Sequence, residues 1–594
     1  TLVFLIKINM IDLRRIDTKI IKSYNLDTKM KKPNSKRFYH CVKSLCPIIY
    51  LVCLIANFSC SNTKSEEYFV RQCDFVSDYQ YNDTTKWAIT CRVWGLLKYY
   101  HPNVTAGKFD WDKVLLESLE AISYVNTPDA LNLELNKMLI SAGEYSYKED
   151  KEWNDSLKMN VNLSWLNSSF IDDSLKIELK KIASIEVKYP SFYGVDYEHI
   201  VFQNEKNYDF EVSSSPTSAN LRLLSFFRYW NVIYYFFPHK YLMDRSWDVI
   251  LSEYIPKFIE SVDSQSYNNT FLKLAATLND GHAYLITDNE SPKDFRDIIE
   301  KVDDITIVRV NAGELQKGDI ISSIGKQNIK QVRDSLSVFT AASTQGNKDY
   351  RINCSIGQMI FGQKNLVKVL RGDKLLEVNV VPVDYKKENA QIYRWISDGI
   401  GYVDLSQVTN KDINPLFEYL SEADGIIFDL RKAGPYKMEL EPFVCHLFEN
   451  KEIQLSSMVY PNPMHPGAFL WRKNFQTTIP DSLSCPIYKG KIVVLINEST
   501  QSGLETIALE IRNNCNSTLV GRSTSGALGR VTFVPLLGQR ASFSNFALFS
   551  ADGTELQRKG ITPDIVVLPT IDAIRNGRDE ILDAGIDFIK KQQM

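Results

Sequence analysis

The sequence has few of the features that mark metal-binding, nucleic-acid-binding or membrane-spanning proteins. Its ten cysteines form no Cys-x-x-Cys pair, so neither a structural zinc site nor a redox motif is indicated. Lys plus Arg number 69 against 72 Asp plus Glu, a net charge of -3 without a basic stripe, which argues against a nucleic-acid partner. The apolar run Pro47–Phe58 is shorter than the roughly 20 residues of a membrane-spanning helix. The sequence therefore predicts no metal, no organic cofactor and no nucleic-acid partner.

The length and composition indicate a multidomain globular protein. A chain of 594 residues is too long for one hydrophobic core, so three or four domains are expected. Hydrophobic residues make up 44% and charged residues 24%, which is ordinary for packed, soluble domains.

The first sixty residues have the pattern of an export signal. Residues 1–29 are predicted to be untranslated upstream sequence, and Met30 opens a basic segment that leads into the apolar run Pro47–Phe58. The next residues resemble a bacterial lipoprotein cleavage site with Cys60 as the lipid-bearing residue, although Asn57 stands where an aliphatic residue is usual. We expect an exported protein, lipid-anchored to the bacterial envelope or periplasmic. A plain secretory signal or a retained membrane anchor is the alternative.

Two stretches that begin at Arg92 and Arg228 repeat each other without a gap. Each reads as an aromatic-faced helix, a turn with proline and a second amphipathic helix, and Trp and Tyr at helical spacing are most simply core residues. The pattern predicts two duplicated helical hairpins that pack side by side. The coinciding pairs are Arg92/Arg228, Trp94/Trp230, Tyr99/Tyr235, Pro102/Pro238, Trp111/Trp247, Asp112/Asp248, Leu115/Leu251 and Glu117/Glu253.

The second repeat closes on Leu-Asn-Asp-Gly-His-Ala, and His282 is the chemically interesting residue there. An apolar helix runs into Asp280 and Gly281, and a short strand carrying His282 is predicted to follow. A single histidine is usually structural, but this one is held on a turn, where functional residues concentrate.

The segment from residue 289 to 385 has a different character. Short strands with turns at Lys-Gly-Asp and at Gly325 precede a helix-like stretch over Val332–Ala341, and "LVKVLRGDKLLEVNVVPV" reads as a β-hairpin. The order resembles that of a PDZ-like module, which binds an extended peptide along a sheet edge.

From Gly399 onward, strands and helices alternate as in an α/β layer, where ligands lie beyond the carboxyl ends of the strands. In "KIVVLINESTQSGLETIALEIRNN", Ser502 stands where a buried strand gives way to a helix. Free N–H groups at a helix N-terminus can stabilise an oxyanion, so Ser502 is a candidate nucleophile. The alternative is that it merely caps the helix.

Five short motifs, in order, resemble those of the S41 serine peptidases, the tail-specific C-terminal processing and tricorn-like proteases. They are "LNDGHA" at 278–283, "DGIIFDLR" at 424–431, "STQSGLE" at 499–505, "LVGRSTSGALG" at 519–529 and "LQRKGITPDIVV" at 556–567. The resemblance covers roughly residues 270–570 and implies an α/β catalytic domain of the ClpP/crotonase-like kind.

The resemblance also separates two mechanisms. The processing proteases use a Ser–Lys dyad, but Ala527 stands where that lysine would be. The tricorn-like branch uses a histidine that precedes the PDZ-like domain, and His282 occupies that place. The resemblance therefore implies Ser502 as nucleophile and His282 as base, a role that suits a neutral imidazole near pH 7.

The remaining parts of the catalytic site depart from the family pattern. The position of the carboxylate that orients the histidine is Gln557 here, and Glu555, two residues earlier on the same face of a strand, is the substitute. Gly503 is expected to supply one oxyanion donor. The other would come from Gly434 or Ala433, because the adjacent Pro435 has no N–H.

Together these observations predict a multidomain α+β protein with duplicated N-terminal helical hairpins, a PDZ-like β-rich module and the catalytic domain. The predicted function is that of an envelope serine peptidase acting on peptides or unfolded proteins. The alternative is a catalytically inactive S41-like binding protein. The oligomeric state is not predicted. The expected boundaries are 1–29 upstream sequence, 30–59 signal peptide, 60–215 first helical repeat with linker, 216–288 second repeat, 289–385 PDZ-like domain, 395–570 peptidase domain and 571–594 C-terminal helix.

Overall fold

The structure is a computed structural model, and every residue that it describes belongs to one compact unit, Tyr68–Met594. Cys60, the whole predicted export signal and Gly434 lie outside the described residues. None of the helices in the described part of the chain is both long and apolar enough to cross a lipid bilayer. The described ranges are 81–146, 157–194, 202–210, 216–287, 295–382, 391–432, 437–450, 452–454, 457–472, 476–480, 482–483 and 485–591.

The N-terminal third is helical. Most of its helices begin at an Asn, Asp or Thr whose side chain accepts a backbone N–H three residues further on, which satisfies a donor that the helix leaves unpaired. The elements are α1 (Asp83–Tyr100), α2 (Pro102–Thr105), α3 (Trp111–Ser123), α4 (Pro128–Ser141), β1 (Leu157–Met159), a 3₁₀ turn (Leu163–Asn167), α5 (Asp173–Ala183), α6 (Pro216–Phe236), a second 3₁₀ turn (Lys240–Leu242), α7 (Trp247–Glu260) and α8 (Ser264–Ala276).

Two pairs of tryptophans join α1 to α3 and α6 to α7 through the same reciprocal hydrogen bonds. The indole N–H of Trp94 donates to the Trp111 carbonyl at 3.0 Å, and the Trp111 indole donates back to the Trp94 carbonyl at 3.1 Å. Trp230 and Trp247 make the same reciprocal bonds, both at 3.0 Å. The buried indoles thus satisfy their polar groups while filling the core, as buried Trp requires.

Ion pairs cross between the two helix pairs. Arg92 on α1 lies 2.8 Å from Asp248 on α7, and Arg228 on α6 lies 2.6 Å from Asp112 on α3. The arginine of each helix pair is therefore neutralised by an aspartate of the other pair. The two helix pairs thus form one unit rather than two independent hairpins.

A β-rich region, residues 295–382, follows the helices. Its strands form a sheet in the order β3-β4-β5-β7-β8, with β6 beside β5. The predicted β-hairpin is confirmed as β7 and β8. The predicted helix is confirmed as α9, which begins three residues and ends four residues before the predicted bounds, and the long helix α10 was not predicted. The elements are β2 (Leu285–Thr287, preceding the region), β3 (Ile299–Val302), β4 (Ile305–Val308), β5 (Ile320–Ile324), β6 (Gln327–Asn328), α9 (Ile329–Ser337), α10 (Gln345–Gly362), β7 (Asn365–Arg371) and β8 (Lys374–Val380).

The C-terminal region, residues 391–591, contains the expected α/β layer. Its elements are β9 (Tyr393–Ser397), β10 (Ile400–Asp404), α11 (Ile413–Tyr419), β11 (Gly425–Asp429), α12 (Leu440–Val444), β12 (Glu452–Gln454), β13 (Ser457–Pro461), β14 (Ala468–Arg472), β15 (Gln476–Thr478), β16 (Lys491–Ile496), α13 (Gly503–Asn514), β17 (Ser517–Gly521), β18 (Val531–Pro535), β19 (Gln539–Ser544), β20 (Ala547–Phe549), β21 (Ile565–Val566), α14 (Ile571–Asn576) and α15 (Glu580–Lys591).

The main sheet of this region has the order β21-β17-β16-β11-β10-β9. All neighbouring pairs are parallel except β10 and β9. Apolar clusters cover both faces, one including residues of α11, α12 and α13 and the other residues of α15, which explains the continuous burial of its central strands. This layer places the carboxyl end of β16 next to the start of α13.

Within the described residues, three smaller antiparallel sheets were not predicted, and two of them join strands that lie far apart in the sequence, β1 with β14 and β2 with β19. The first has the order β1-β14-β13-β20, the second pairs β12 with β15, and the third has the order β18-β19-β2. In the third sheet, β2, just after His282, pairs with β19 more than 250 residues later. This pairing attaches the segment that follows the last N-terminal helix to a strand of the α/β region.

Candidate active site

Ser502 lies on a strained turn between β16 and α13. Its backbone has φ 58° and ψ −123°, outside the regions that a residue with a side chain adopts freely. Strain of this kind persists where surrounding bonds over-determine it, and it clusters at functional sites. Here the Ser502 N–H lies 3.1 Å from the Ala527 carbonyl oxygen and 3.2 Å from Glu505 Oε2.

Glu505 holds this turn against the loop that follows β17. Its carboxylate is fully buried and accepts the backbone N–H groups of Gly526 and Ala527 at 2.9 and 3.0 Å. It also accepts the hydroxyls of Thr524 and Ser525. Burial raises the pKa of Glu505, and these bonds oppose the rise. Glu505, the last residue of the "STQSGLE" motif, thus positions the turn that carries Ser502.

The loop before Ser502 is tied to the end of β11. The Thr500 hydroxyl donates to the Leu430 carbonyl at 2.9 Å, and the Ser499 hydroxyl donates to the Arg431 carbonyl. Two of the sequence motifs therefore meet at the carboxyl edge of the main sheet, where α/β folds place their ligands.

His282 lies on a turn rather than on a strand, because β2 begins only at Leu285. The sequence-based prediction of a strand at His282 is therefore wrong, whereas its placement on a turn after a helix is confirmed. The imidazole is buried, and its Nδ1 lies 2.8 Å from Ser544 Oγ. Among the described residues, Nε2 has no hydrogen-bond partner. Burial lowers the pKa of His282, while the Asp280 carboxylate acts in the opposite direction and Arg351 adds to the lowering.

The turn that carries His282 (called the His282 turn) and the turn that carries Ser502 (the Ser502 turn) contact each other through residues adjacent to these two side chains. The Gly281 carbonyl accepts the side-chain amide of Gln501 at 3.0 Å. A Cβ added to Gly281 would lie 2.8 Å from the Ala527 Cβ, and Ala527 is the residue whose carbonyl accepts the Ser502 N–H. The backbone next to His282 therefore packs directly against Ala527, the position at which the processing proteases carry lysine.

Helix α10 of the β-rich region joins the two turns. The Arg351 guanidinium donates to the Gly281 carbonyl and to Gln501 Oε1 at 3.2 Å. The Asn347 amide donates to the Glu498 carbonyl at 3.1 Å, and Ser343, just before α10, accepts the Gly281 N–H at 2.8 Å. A shift of α10 would therefore move both turns.

Glu555 and Gln557 do not lie on a continuous strand. Glu555 forms an isolated bridge with Phe549, and Gln557 lies in a turn, so the same-face argument does not apply to them. Glu555 Oε1 accepts the Tyr241 hydroxyl. The Gln557 amide nitrogen lies 3.4 Å from Asp280 Oδ1. Neither side chain is a hydrogen-bond partner of the imidazole among the described residues.

One of the two predicted oxyanion donors falls within the described residues. Gly503 is the first residue of α13, and the first N–H groups of a helix have no partner within the helix. Its N–H is thus available next to the Ser502 side chain. Gly434 and Ala433, the two candidates for the other donor, lie outside the described residues.

Comparison with known proteins identifies the region that carries Ser502. Residues 399–567 match the sequence model of peptidase family S41. Residues 399–567, which match this model, are called the S41 domain below. The chain is also similar to a carboxy-terminal-processing protease from Bartonella bacilliformis, with 28% identity over 206 residues. That alignment covers 33% of this chain and 44% of the relative, so the chain spans less than half of that protein's length.

Solved structures resemble the chain at low identity. Mature CPAF aligns over 63% of this chain and 96% of its own, with 12% identity and a TM-score of 0.49. A putative peptidase from Parabacteroides merdae aligns over 61% of this chain and 95% of its own, with 17% identity and a TM-score of 0.39.

The S41 domain also contains a group of potential metal ligands, away from Ser502 in sequence. Atoms of Cys445, His446 and Cys485 lie within 4.8 Å of one another. The two cysteines form a disulfide, and both ring nitrogens of His446 have hydrogen-bond partners, Pro486 O at 3.2 Å and Asn414 Oδ1 at 2.9 Å. These atoms are therefore engaged in the structure of the S41 domain rather than arranged around a cation. The disulfide was not predicted from the sequence.

The sequence patterns do not mark three residues near the His282 and Ser502 turns as functional: Asp280, Ser544 and Arg351. Asp280 is adjacent to the recognised Gly-His and could have been considered on that basis. Ser544 and Arg351 have no local signal, because β19 and α10 bring them to the site from distant parts of the chain.

The close approach of Gly281 to Ala527 gives a testable prediction. A Cβ in Gly281→Ala would force the His282 turn away from the S41 domain, because 2.8 Å is shorter than carbon atoms tolerate. We expect the reactivity of Ser502 towards a fluorophosphonate probe to fall at least about tenfold. Stability should fall by about 1–3 kcal/mol, as for other overpacked sites.

The control is the double variant Gly281→Ala/Ala527→Gly, which removes the Ala527 Cβ that the new methyl group would meet. It should recover part of the lost labelling rate and of the melting temperature, and Ala527→Gly alone supplies the reference. Equal labelling rates in Gly281→Ala and the unmodified protein would contradict the close packing of the two turns.

Proposed function

We propose that the protein is a serine peptidase of the tricorn-like S41 type, which hydrolyses peptide bonds in peptides or unfolded proteins. The observation that supports this most strongly is the contact between the turn bearing His282 and the turn bearing Ser502, two residues 220 positions apart. A fold that needed only a helix cap at Ser502 would not require a buried imidazole with an unpaired nitrogen on the adjoining turn.

In this proposal the Ser502 hydroxyl attacks the scissile carbonyl while His282 Nε2 takes its proton. The imidazolium returns the proton to the leaving amine, and a water molecule then hydrolyses the acyl-enzyme by the same route. The Gly503 N–H stabilises the oxyanion at the helix N-terminus. Ser502 Oγ lies 3.5 Å from the Gly529 carbonyl oxygen, a long and weak hydrogen bond that is easily exchanged for one to the imidazole.

Ala527 supports a histidine rather than a lysine as the base. A lysine side chain at this position would have to share space with Gly281, which already touches the Ala527 methyl group. A buried histidine with a lowered pKa stays neutral, and hence basic, down to a lower pH than a free histidine.

The finer assignments belong to the same proposal. The helix pairs α1/α3 and α6/α7 are a duplicated unit, and the β-rich region is a PDZ-like module that receives an extended peptide. The protein acts in the bacterial envelope, anchored through Cys60. The Cys445–Cys485 disulfide supports export, because disulfides persist in oxidising compartments and are rare in the cytosol.

A serine-directed fluorophosphonate probe tests the activity. We expect it to label the full chain, to fail with Ser502→Ala and to label His282→Ala much more slowly. Ser335→Ala, at an exposed position on α9, is the matched control and should label normally. The unmodified protein should also cleave denatured casein, and Ser502→Ala should not. Equal labelling of all four proteins would leave a catalytically inactive binding protein as the better description.

A further inference from the structure

We propose that Asp280 and Ser544 together orient His282 and hold it in the tautomer that carries its proton on Nδ1. This is the task that the family resemblance gives to position 557 or, by substitution, to Glu555. The proposal rests on the proposed function, because it concerns the imidazole that would serve as base to Ser502.

The hydrogen bonds fix the direction of donation. Ser544 Oγ lies 2.9 Å from Asp280 Oδ1 and 2.8 Å from His282 Nδ1. An ionised carboxylate can only accept, so the single hydroxyl hydrogen of Ser544 goes to Asp280. Ser544 Oγ must then accept from the imidazole, which therefore bears its hydrogen on Nδ1. The lone pair stays on Nε2, the nitrogen without a partner among the described residues.

Asp280 is itself held in place as a buried acceptor. Its Oδ1 accepts the His282 backbone N–H at 3.0 Å, and its Oδ2 accepts the Ser544 backbone N–H at 2.7 Å. Gln557 adds a longer contact to Oδ1 at 3.4 Å. The side chain is fully buried, so its position is set by these donors and not by solvent. Gln557 therefore acts on Asp280 rather than on the imidazole.

The sheet that carries Ser544 also fixes the backbone of the His282 turn. The Ser542 hydroxyl donates to the His282 carbonyl at 2.6 Å, and the Ser542 N–H donates to the Tyr284 carbonyl at 3.0 Å. Because β19 pairs with β2, Ser544 and His282 keep one register. A hydroxyl on a strand is a more rigid support than a side chain on a loop.

In the described part of the chain, the charged or titratable groups that act electrostatically on His282 are Asp280, Arg351 and His239. Asp280 lies on the same turn, Arg351 reaches the turn from α10, and His239 follows α6. His239 is buried, neither of its ring nitrogens has a partner among the described residues, and burial lowers its pKa to about 4. Asp280 is therefore the one of these three groups that can stabilise the imidazolium formed during proton transfer.

Glu555 is engaged elsewhere. Its carboxylate accepts the Tyr241 hydroxyl and lies 3.9 Å from Lys559 Nζ. Burial raises the pKa of Glu555, which weakens it as a permanent negative charge beside an imidazolium.

The first test measures the second-order rate of fluorophosphonate labelling of the full chain across pH. Ser544→Ala and Asp280→Asn should each lower the rate about 10- to 1,000-fold, since loss of the orienting group allows the wrong tautomer. In both variants, the fall of the labelling rate on the acid side should move to lower pH. The reason is that the imidazolium of His282 loses a group that stabilises it. Ser335→Ala is the exposed-serine control. A greater loss in Glu555→Gln than in Ser544→Ala overturns the proposal.

The second test does not require activity. In protein labelled with ¹⁵N-histidine, the imidazole signal that disappears in His282→Ala belongs to His282. At neutral pH it should show a protonated Nδ1 and an unprotonated Nε2, and Ser544→Ala should mix the two tautomers. Asp280→Asn serves as the second variant if Ser544→Ala does not fold, as judged by circular dichroism. A protonated Nε2 in the unmodified protein overturns the proposal, whereas absence of Ser502 labelling alone counts against the proposed function.

Discussion

Replacing His282 by glutamine is expected to lower the rate of fluorophosphonate labelling about 1,000-fold, within the range that a general base contributes. Glutamine retains a polar side chain towards Ser544 but cannot take the Ser502 proton. The unmodified protein should lose reactivity only below pH 6.5, because burial lowers the pKa of His282 and the neutral form is the active one. The variant should lack this acid limb.

His239→Gln is the matched control for the loss of a buried imidazole close to the same site. His239 has no hydrogen-bond partner among the described residues, so its replacement should reduce labelling by less than about tenfold. The rates are compared from pH 4.5 to 8.5 at equal probe concentration. An acid limb that persists unchanged in His282→Gln would mean that another group is the base.

Replacing Arg228 by methionine is expected to destabilise the helical region by about 3–5 kcal/mol, the usual cost of breaking a buried ion pair. The guanidinium lies 2.6 Å from Asp112 and 3.0 Å from Glu205. It also donates to the carbonyls of Lys206 and Pro535 at 2.9 and 3.0 Å. Without it, two buried carboxylates share the single ammonium of Lys98.

Arg92→Met provides the comparison, because Arg92 is the counterpart of Arg228 in the sequence repeat. Its partner Asp248 is 19% exposed, whereas Asp112 is 4% exposed, so water can solvate the carboxylate that remains. We expect a loss of about 1–2 kcal/mol. Thermal unfolding followed by tryptophan fluorescence measures both variants. Equal melting temperatures would show that the buried carboxylates find another way to neutralise their charge.

The local structure around Ser502 could be predicted because it depends on neighbours in the sequence. An apolar run gives β16, an amphipathic pattern gives α13, and Ser502 falls between them. The strained backbone of Ser502, with a φ of 58°, has no such signal in the sequence. It depends on Glu505, whose four bonds to residues 524–527 form only when the two loops meet.

The support for His282 could not be predicted for a related reason. Ser544 is 262 positions away, and the strand that brings it there pairs with a strand of only three residues. Such short strands carry too few residues for a periodic pattern. Family order points to a carboxylate near position 557, and it carries no information about Asp280, two residues from His282 in the sequence.

The ion pairs between the two helix pairs restrict the order in which the helical region can fold during synthesis. Arg92 meets Asp248, which is synthesised 156 residues later. At about 5–20 residues per second, α1 and α3 wait roughly 8–30 s for their partners. During that interval the surfaces of α1 and α3 that pack against α6 and α7 stay exposed to water.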